Sequence, residues 1–396
     1  MEKSRSKRNG TLEFWRFAFA AFVLLFHAEK YILGEPSMAK GVFFGFFPHG
    51  AIGVEFFFLL TGLFLAMSAD KQRHRQPDAP IGDETVKFVW KKYTAIFPYH
   101  FIAFVTLFII AVIVRQYDWF HNVLLFVNSL PNLFLFQMTG VPAGNLNHVE
   151  WYLSVMMIAI AVIYPLCRRY FEVFTKVAAP VGSLMILGYL GYTCGRLSGV
   201  AVWEGHFYRG MIRGFGEILL GTFAYALAKE YLAPLKDKIG AVRRALLTLL
   251  EWVCYTVVVF FVIMTFPWQY EFAALFFIFT AVTLSFSGLT YSGKLFDNPV
   301  SYFLGKFSLS IYLAQTAAIV LTTHYYTHLD PNGQIVNIVI QTLLFAIVTQ
   351  LLGDGIVRLT RKKDSSTPPA PPTLPTAAEA VTDAVKAPAE EPSSAE

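Results

Sequence analysis

The sequence predicts an all-α integral membrane protein: a bundle of ten transmembrane helices with both termini in the cytoplasm and a disordered C-terminal tail. Three observations lead there. The 396 residues are 55% hydrophobic and only 15% charged, where soluble domains carry about 25% charged residues. Apolar runs of about 20 residues, long enough to cross a hydrocarbon core, recur along nearly the whole chain. Lysine and arginine are divided unevenly between alternate loops, as they are in multi-pass proteins.

Taken in order, apolar stretches bounded by charge or turn residues place spans near 12–33, 51–69, 96–114, 149–166, 178–194, 210–228, 249–265, 271–287, 300–321 and 334–357. The first span carries Glu13, Arg16, His27 and Lys30. It is too long and too charged for a cleaved signal peptide, so it is expected to remain in the mature protein. The second holds Gly53 and Gly62, small residues that let helices approach closely. Between the third and fourth spans, the apolar segment 119–139 is interrupted by Asn122, Asn128, Pro131 and Asn132. It reads as an interfacial or re-entrant piece, since an eleventh crossing would reverse the side of every later loop.

With the amino terminus inside, the inner loops and ends hold 23 Lys and Arg, and the outer loops hold only Lys40, Arg115, Arg196 and Arg209. That bias supports ten spans. The chain therefore divides into a basic cytoplasmic N-terminus at 1–11, a transmembrane domain at 12–357 and a cytoplasmic tail at 358–396. From Asp364 the tail has six acids and one lysine in a Pro, Ala, Ser and Thr background, a composition that cannot bury enough apolar surface to offset ordering. The remaining chain is basic on its inner face, which is usual for membrane proteins and no indication of nucleic acid. Cys167, Cys194 and Cys254 show no paired spacing, so neither a disulfide framework nor structural zinc is expected.

Ionisable groups inside a span are costly and mark functional positions. Arg16 and His27 are eleven residues apart, close to three helical turns, so they share a face about 16 Å apart along the axis. An imidazole suits proton abstraction from a hydroxyl near neutral pH, and an arginine at the inner edge suits phosphate. A structural histidine is the bland alternative. Glu55 lies about one turn below the outer boundary on the antiparallel neighbour, at a depth similar to His27, where a carboxylate could orient the ring; otherwise it reaches the outer interface unpartnered. Asn145, Asn147, His148, Glu150 and Trp151, at the outer entrance of the fourth span, suit sugar hydroxyls and faces, or else form an interfacial aromatic belt. Arg209, Arg213 and Glu217 recur every four residues and are expected to pair among themselves. No HExxH and no histidine–acid pair at ligand spacing within a span indicates a metal. His324 and His328 are four apart, a weak exception.

Four segments, in order, carry a family resemblance. Leu12 to Arg16 followed by His27 resembles the opening motif of the membrane-bound acyltransferase 3 family, and Gly53-Val54-Glu55-Phe56-Phe57-Phe58 ending in Thr61-Gly62 is similar to its second-helix motif, with Glu for Asp and Thr for Ser. Trp151-Tyr152-Leu153-Ser154 and Gly305 to Leu313 resemble two later stretches. The chain departs from the family at three places: Lys92 and Ala95 stand where two arginines are common, Met156 replaces a carboxylate, and Gln315 replaces a histidine. The resemblance implies transfer of an acyl group, commonly acetyl, from cytoplasmic acyl-CoA to a hydroxyl of a cell-surface or lipid-linked glycan, in the plasma or inner membrane. It implies His27 as base with Glu55 orienting it, Arg16, Lys91 and Lys92 holding the nucleotide phosphates of acetyl-CoA or another acyl-CoA, and Asn147, His148, Glu150 and Trp151 meeting the acceptor. No metal is called for. The rival readings are a transporter or exporter of a glycan or lipid precursor and a non-catalytic partner of a surface-polymer assembly.

Overall fold

A computed structural model of the protein describes residues 9–34, 47–141 and 146–366. Lys40, Asn145, most of the basic N-terminus and the tail beyond Ser366 lie outside the described residues. Among the described residues thirteen α-helices follow one another: α1 Gly10–Leu33, α2 Gly53–Arg75, α3 Ile81–Arg115, α4 Trp119–Leu133, α5 Trp151–Arg169, α6 Phe171–Val173, α7 Ala179–Thr193, α8 Arg209–Ala226, α9 Ala241–Ile263, α10 Glu271–Ser287, α11 Ser292–Phe296, α12 Pro299–Tyr325 and α13 Pro331–Ser366. A π-helical turn, Phe174–Ala178, joins α6 to α7, and a short hairpin of β1 Trp203–Glu204 with β2 Phe207–Tyr208 precedes α8. Ten helical stretches among the described residues are long and apolar enough to cross a membrane, and they coincide one for one with the spans read from the sequence.

Several helices outrun their apolar stretches, α3 and α13 the furthest. The third span is read from residue 96, but α3 starts at Ile81; the last is read to residue 357, but α13 continues to Ser366. Charged extensions carry both past the apolar run. Within α13 the compact unit that holds the preceding helices ends at Asp354.

α1 begins where the Asn9 side chain accepts from the Leu12 amide at 3.1 Å and its Nδ2 donates to the Ser285 carbonyl at 2.7 Å, a capped start tied to α10. It ends at Gly34, whose φ of +88° returns its amide to the Lys30 carbonyl, the left-handed region that glycine adopts without strain. Small residues set the helix crossings: a Cβ on Gly62 would lie 1.9 Å from the Ile218 carbonyl oxygen, and one on Gly221 2.1 Å from that of Leu59. Backbones of α2 and α8 therefore touch, as the sequence suggested for Gly62; Gly53 serves α1 likewise, 2.6 Å from the Phe19 carbonyl. α2 and α12 are the most enclosed spans, while α7, α9 and α13 show most of their surface outward.

α4 is only 15 residues long. Its Leu133 carbonyl accepts from His100 Nε2 at 3.0 Å, and His100 lies about 22 Å along the axis from the Arg115 end of α3. α4 thus folds back beside α3, and the following chain delivers Asn147 to Trp151 to the inside of the bundle.

Candidate active site

The site forms where α1, α12 and the chain leading into α5 meet. His27 faces α12, with Nδ1 2.9 Å from Gln315 Oε1. Gln315 is fully buried, and its Nε2 donates to the Tyr312 carbonyl at 2.8 Å. That second bond fixes the amide, because only the NH2 group can donate to a carbonyl. Oε1 can only accept, so His27 Nδ1 carries the ring proton and Nε2 of the neutral ring is left with its lone pair.

A second layer of hydrogen bonds stitches the segment before α5 to α12. Asn147 is fully buried; its Nδ2 donates to the Leu313 carbonyl at 3.3 Å and its Oδ1 accepts from Thr316 at 2.6 Å. The Tyr312 hydroxyl donates to the Val149 carbonyl. Between these tethers His148 is exposed and close enough to His27 to interact with it electrostatically. Glu150 Oε1 meets His100 Nδ1 at 2.9 Å, both residues wholly buried. The Leu133 carbonyl holds the other nitrogen of His100, so the ring and the carboxyl share two protons between them.

Eleven residues below His27 on the same uninterrupted helix, Arg16 Nη1 contacts Glu13 Oε2 at 2.9 Å. Lys92 lies within electrostatic range of both Arg16 and Lys91. The Tyr152 hydroxyl, hydrogen-bonded to Thr61 at 3.1 Å, is also within electrostatic reach of Arg16.

Several expectations are corrected. Glu55 does not orient His27: its Oε1 is 2.7 Å from Arg213 Nη2, and Gln315 is the hydrogen-bond partner of the imidazole. Depth alone suggested the pairing, but α2 packs most extensively on α8, which offers a guanidinium. Asn147 is bonded to α12 and Glu150 Oε1 to His100 on α3, both residues fully buried, so they shape the segment and do not present themselves to a sugar. Trp151 packs against Phe58 and under the Arg213 guanidinium, whose carbon is 5.4 Å from the ring centre. Of the four residues expected to meet the acceptor, His148 is the exposed one. The Arg213–Glu217 pair forms at 2.9 Å, while Arg209 turns to Glu204. His100 went unnoticed in the sequence, although an ionisable residue inside the third apolar run was the signal that could have found it. Among the described residues no group of three His, Cys, Asp or Glu is arranged to hold a metal.

The arrangement offers a basic group at one end of α1 and, about 16 Å along, a neutral imidazole whose tautomer is fixed by a neutral partner. A family model described as an acyltransferase domain matches residues 9–352. Searches among curated proteins and among solved structures found no match. The matched stretch runs from the cap of α1 far into α13 and contains every residue of the His27–Gln315 cluster, and the chain belongs to the acyltransferase 3 family of proteins.

Proposed function

We propose that the protein transfers an acyl group, in the simplest case acetyl, from cytoplasmic acyl-CoA to a hydroxyl of a cell-surface or lipid-linked glycan, in the plasma or inner membrane. Arg16, Lys91 and Lys92 hold the phosphates of the donor at the inner end, since arginine and lysine both bind phosphate through charge-assisted hydrogen bonds. The pantetheine arm runs along α1 and brings the thioester to His27. The acceptor hydroxyl gives its proton to His27 Nε2 as its oxygen attacks the thioester carbonyl. The C–S bond then breaks, and the departing coenzyme thiolate takes that proton, leaving the ester, free CoA-SH and neutral His27. Gln315 keeps Nδ1 protonated throughout, the orienting part expected of Glu55. His148 lies where an acceptor would approach.

The observation that carries this reading is the His27 ring turned into the bundle, with Nδ1 bound to Gln315 and Arg16 three turns away on the same helix, within electrostatic range of Lys92. Purified protein given radiolabelled acetyl-CoA and polysaccharide from cells lacking the gene tests it: alkali-labile label on the glycan supports the reading. Glycan counterflow in vesicles without any acyl donor, and no label transfer, would favour an exporter instead.

A further inference from the structure

Away from His27, three carboxylates gather round one guanidinium in the interior. Arg213 is 3% exposed, Glu55 1%, Glu217 0% and Glu271 5%. Glu271 is provided for separately: its Oε2 accepts from the Leu197 and Ser198 amides at 2.6 and 3.3 Å, and Arg196 is an electrostatic neighbour. Such amide bonds stabilise the ionised form. Glu55 and Glu217 are left to share Arg213, Glu55 at 2.7 Å from Nη2 and Glu217 at 2.9 Å from Nε. Each spends one oxygen on the guanidinium. The other oxygen of each, Glu55 Oε2 and Glu217 Oε2, is buried without a hydrogen-bond partner.

Among the described residues the neighbouring elements supply no second cation to the pair. Arg209 is bound to Glu204 and to the Ser198 carbonyl, and Tyr152 to Thr61 and the Phe57 carbonyl. Lys229 and Tyr225 are taken up by Asp70 at the other end of α2 and α8. Arg213 Nη1 donates to the Leu197 carbonyl at 3.2 Å, and Trp151, Phe58 and Val155 pack about Arg213 and Gly214. Two ionised glutamates on one arginine would bury a net negative charge and two unsatisfied acceptors there, an arrangement protein interiors avoid. One added proton makes the group neutral and turns one orphaned acceptor into a donor.

We propose that Glu55 and Glu217 bind one proton between them at neutral pH, making Glu55, Arg213 and Glu217 a neutral proton-binding site inside the bundle. The assignment is independent of the acyl-transfer reading. Infrared difference spectroscopy on the full-length purified protein in lipid nanodiscs tests it, comparing wild type with Glu55→Gln and Glu217→Gln, both near-isosteric. The expected result is a carboxylic-acid C=O stretch in the wild type, moving to lower frequency in D2O and absent from both single variants, because the remaining glutamate then pairs one to one with Arg213. Persistence of the whole band in either variant overturns the shared proton. A wild type without the band overturns it too, and a melting temperature raised by sodium would then identify the ligand as that cation. Should one variant fail to fold, the other decides alone.

Discussion

Replacing Gln315 by leucine removes the partner of His27 while nearly keeping side-chain volume. The hydrogen bond at stake is 2.9 Å long, and Gln315 is fully enclosed. Such a bond is worth about 0.5–1.5 kcal/mol net, so it favours the productive tautomer and ring orientation by about 2- to 12-fold. Loss of the base itself is a larger effect, about 100- to 10,000-fold. Gln315→Leu should therefore lower kcat/KM for acyl transfer by about 2- to 12-fold, measured as label moved from acyl-CoA to glycan per folded protein. The double variant Gln315→Leu/His27→Ala should be no slower than His27→Ala alone, because the two side chains act as one unit. A fall for Gln315→Leu as deep as that of His27→Ala, or a further additive loss in the double variant, would refute the assignment of Gln315 as an orienting group.

Other outcomes follow from the same geometry. Gly62→Ala places a Cβ 1.9 Å from the Ile218 carbonyl, so α2 and α8 must separate; overpacking of this kind costs about 1–3 kcal/mol, visible as a lower melting temperature in detergent, and an unchanged melt would contradict the close crossing. Glu55→Gln copies a protonated carboxyl and leaves Arg213 its Glu217 partner, so acyl transfer per folded molecule should stay within about 3-fold of wild type; a loss on the scale expected for a general base would return Glu55 to the chemistry. Lys91→Gln/Lys92→Gln should raise KM for acyl-CoA by about 5-fold, as two partly exposed charges warrant, with kcat unchanged and the difference shrinking in salt. A drop in kcat at constant KM would move these lysines out of donor binding.

Much of this fold is written in the sequence because lipid imposes a simple rule. Each crossing needs an apolar run, and those runs locate all ten spans. The register of Arg16 and His27 and the pairing of Arg213 with Glu217 were also legible, since both depend only on helical period within one element. What lay beyond reach depends on which helices meet. Glu55 and Arg213 are far apart in the chain, and only the contact between α2 and α8, made possible by Gly62 and Gly221, brings them together. Asn147 and Glu150 look like outer-surface groups until α4 folds back along α3 and carries them inward to Thr316 and His100. Gln315 stood out in sequence only as a departure from a motif; its part becomes evident from the single hydrogen bond that ties its amide to Tyr312.

The account rests on His27 as the group that takes the acceptor proton, and one comparison addresses it directly: single-turnover acyl transfer by wild type and His27→Ala, with donor binding measured on the same samples. Unchanged donor affinity with a rate lowered by about 100-fold or more is the predicted result. A His27→Ala protein that transfers the acyl group at the wild-type rate would contradict it.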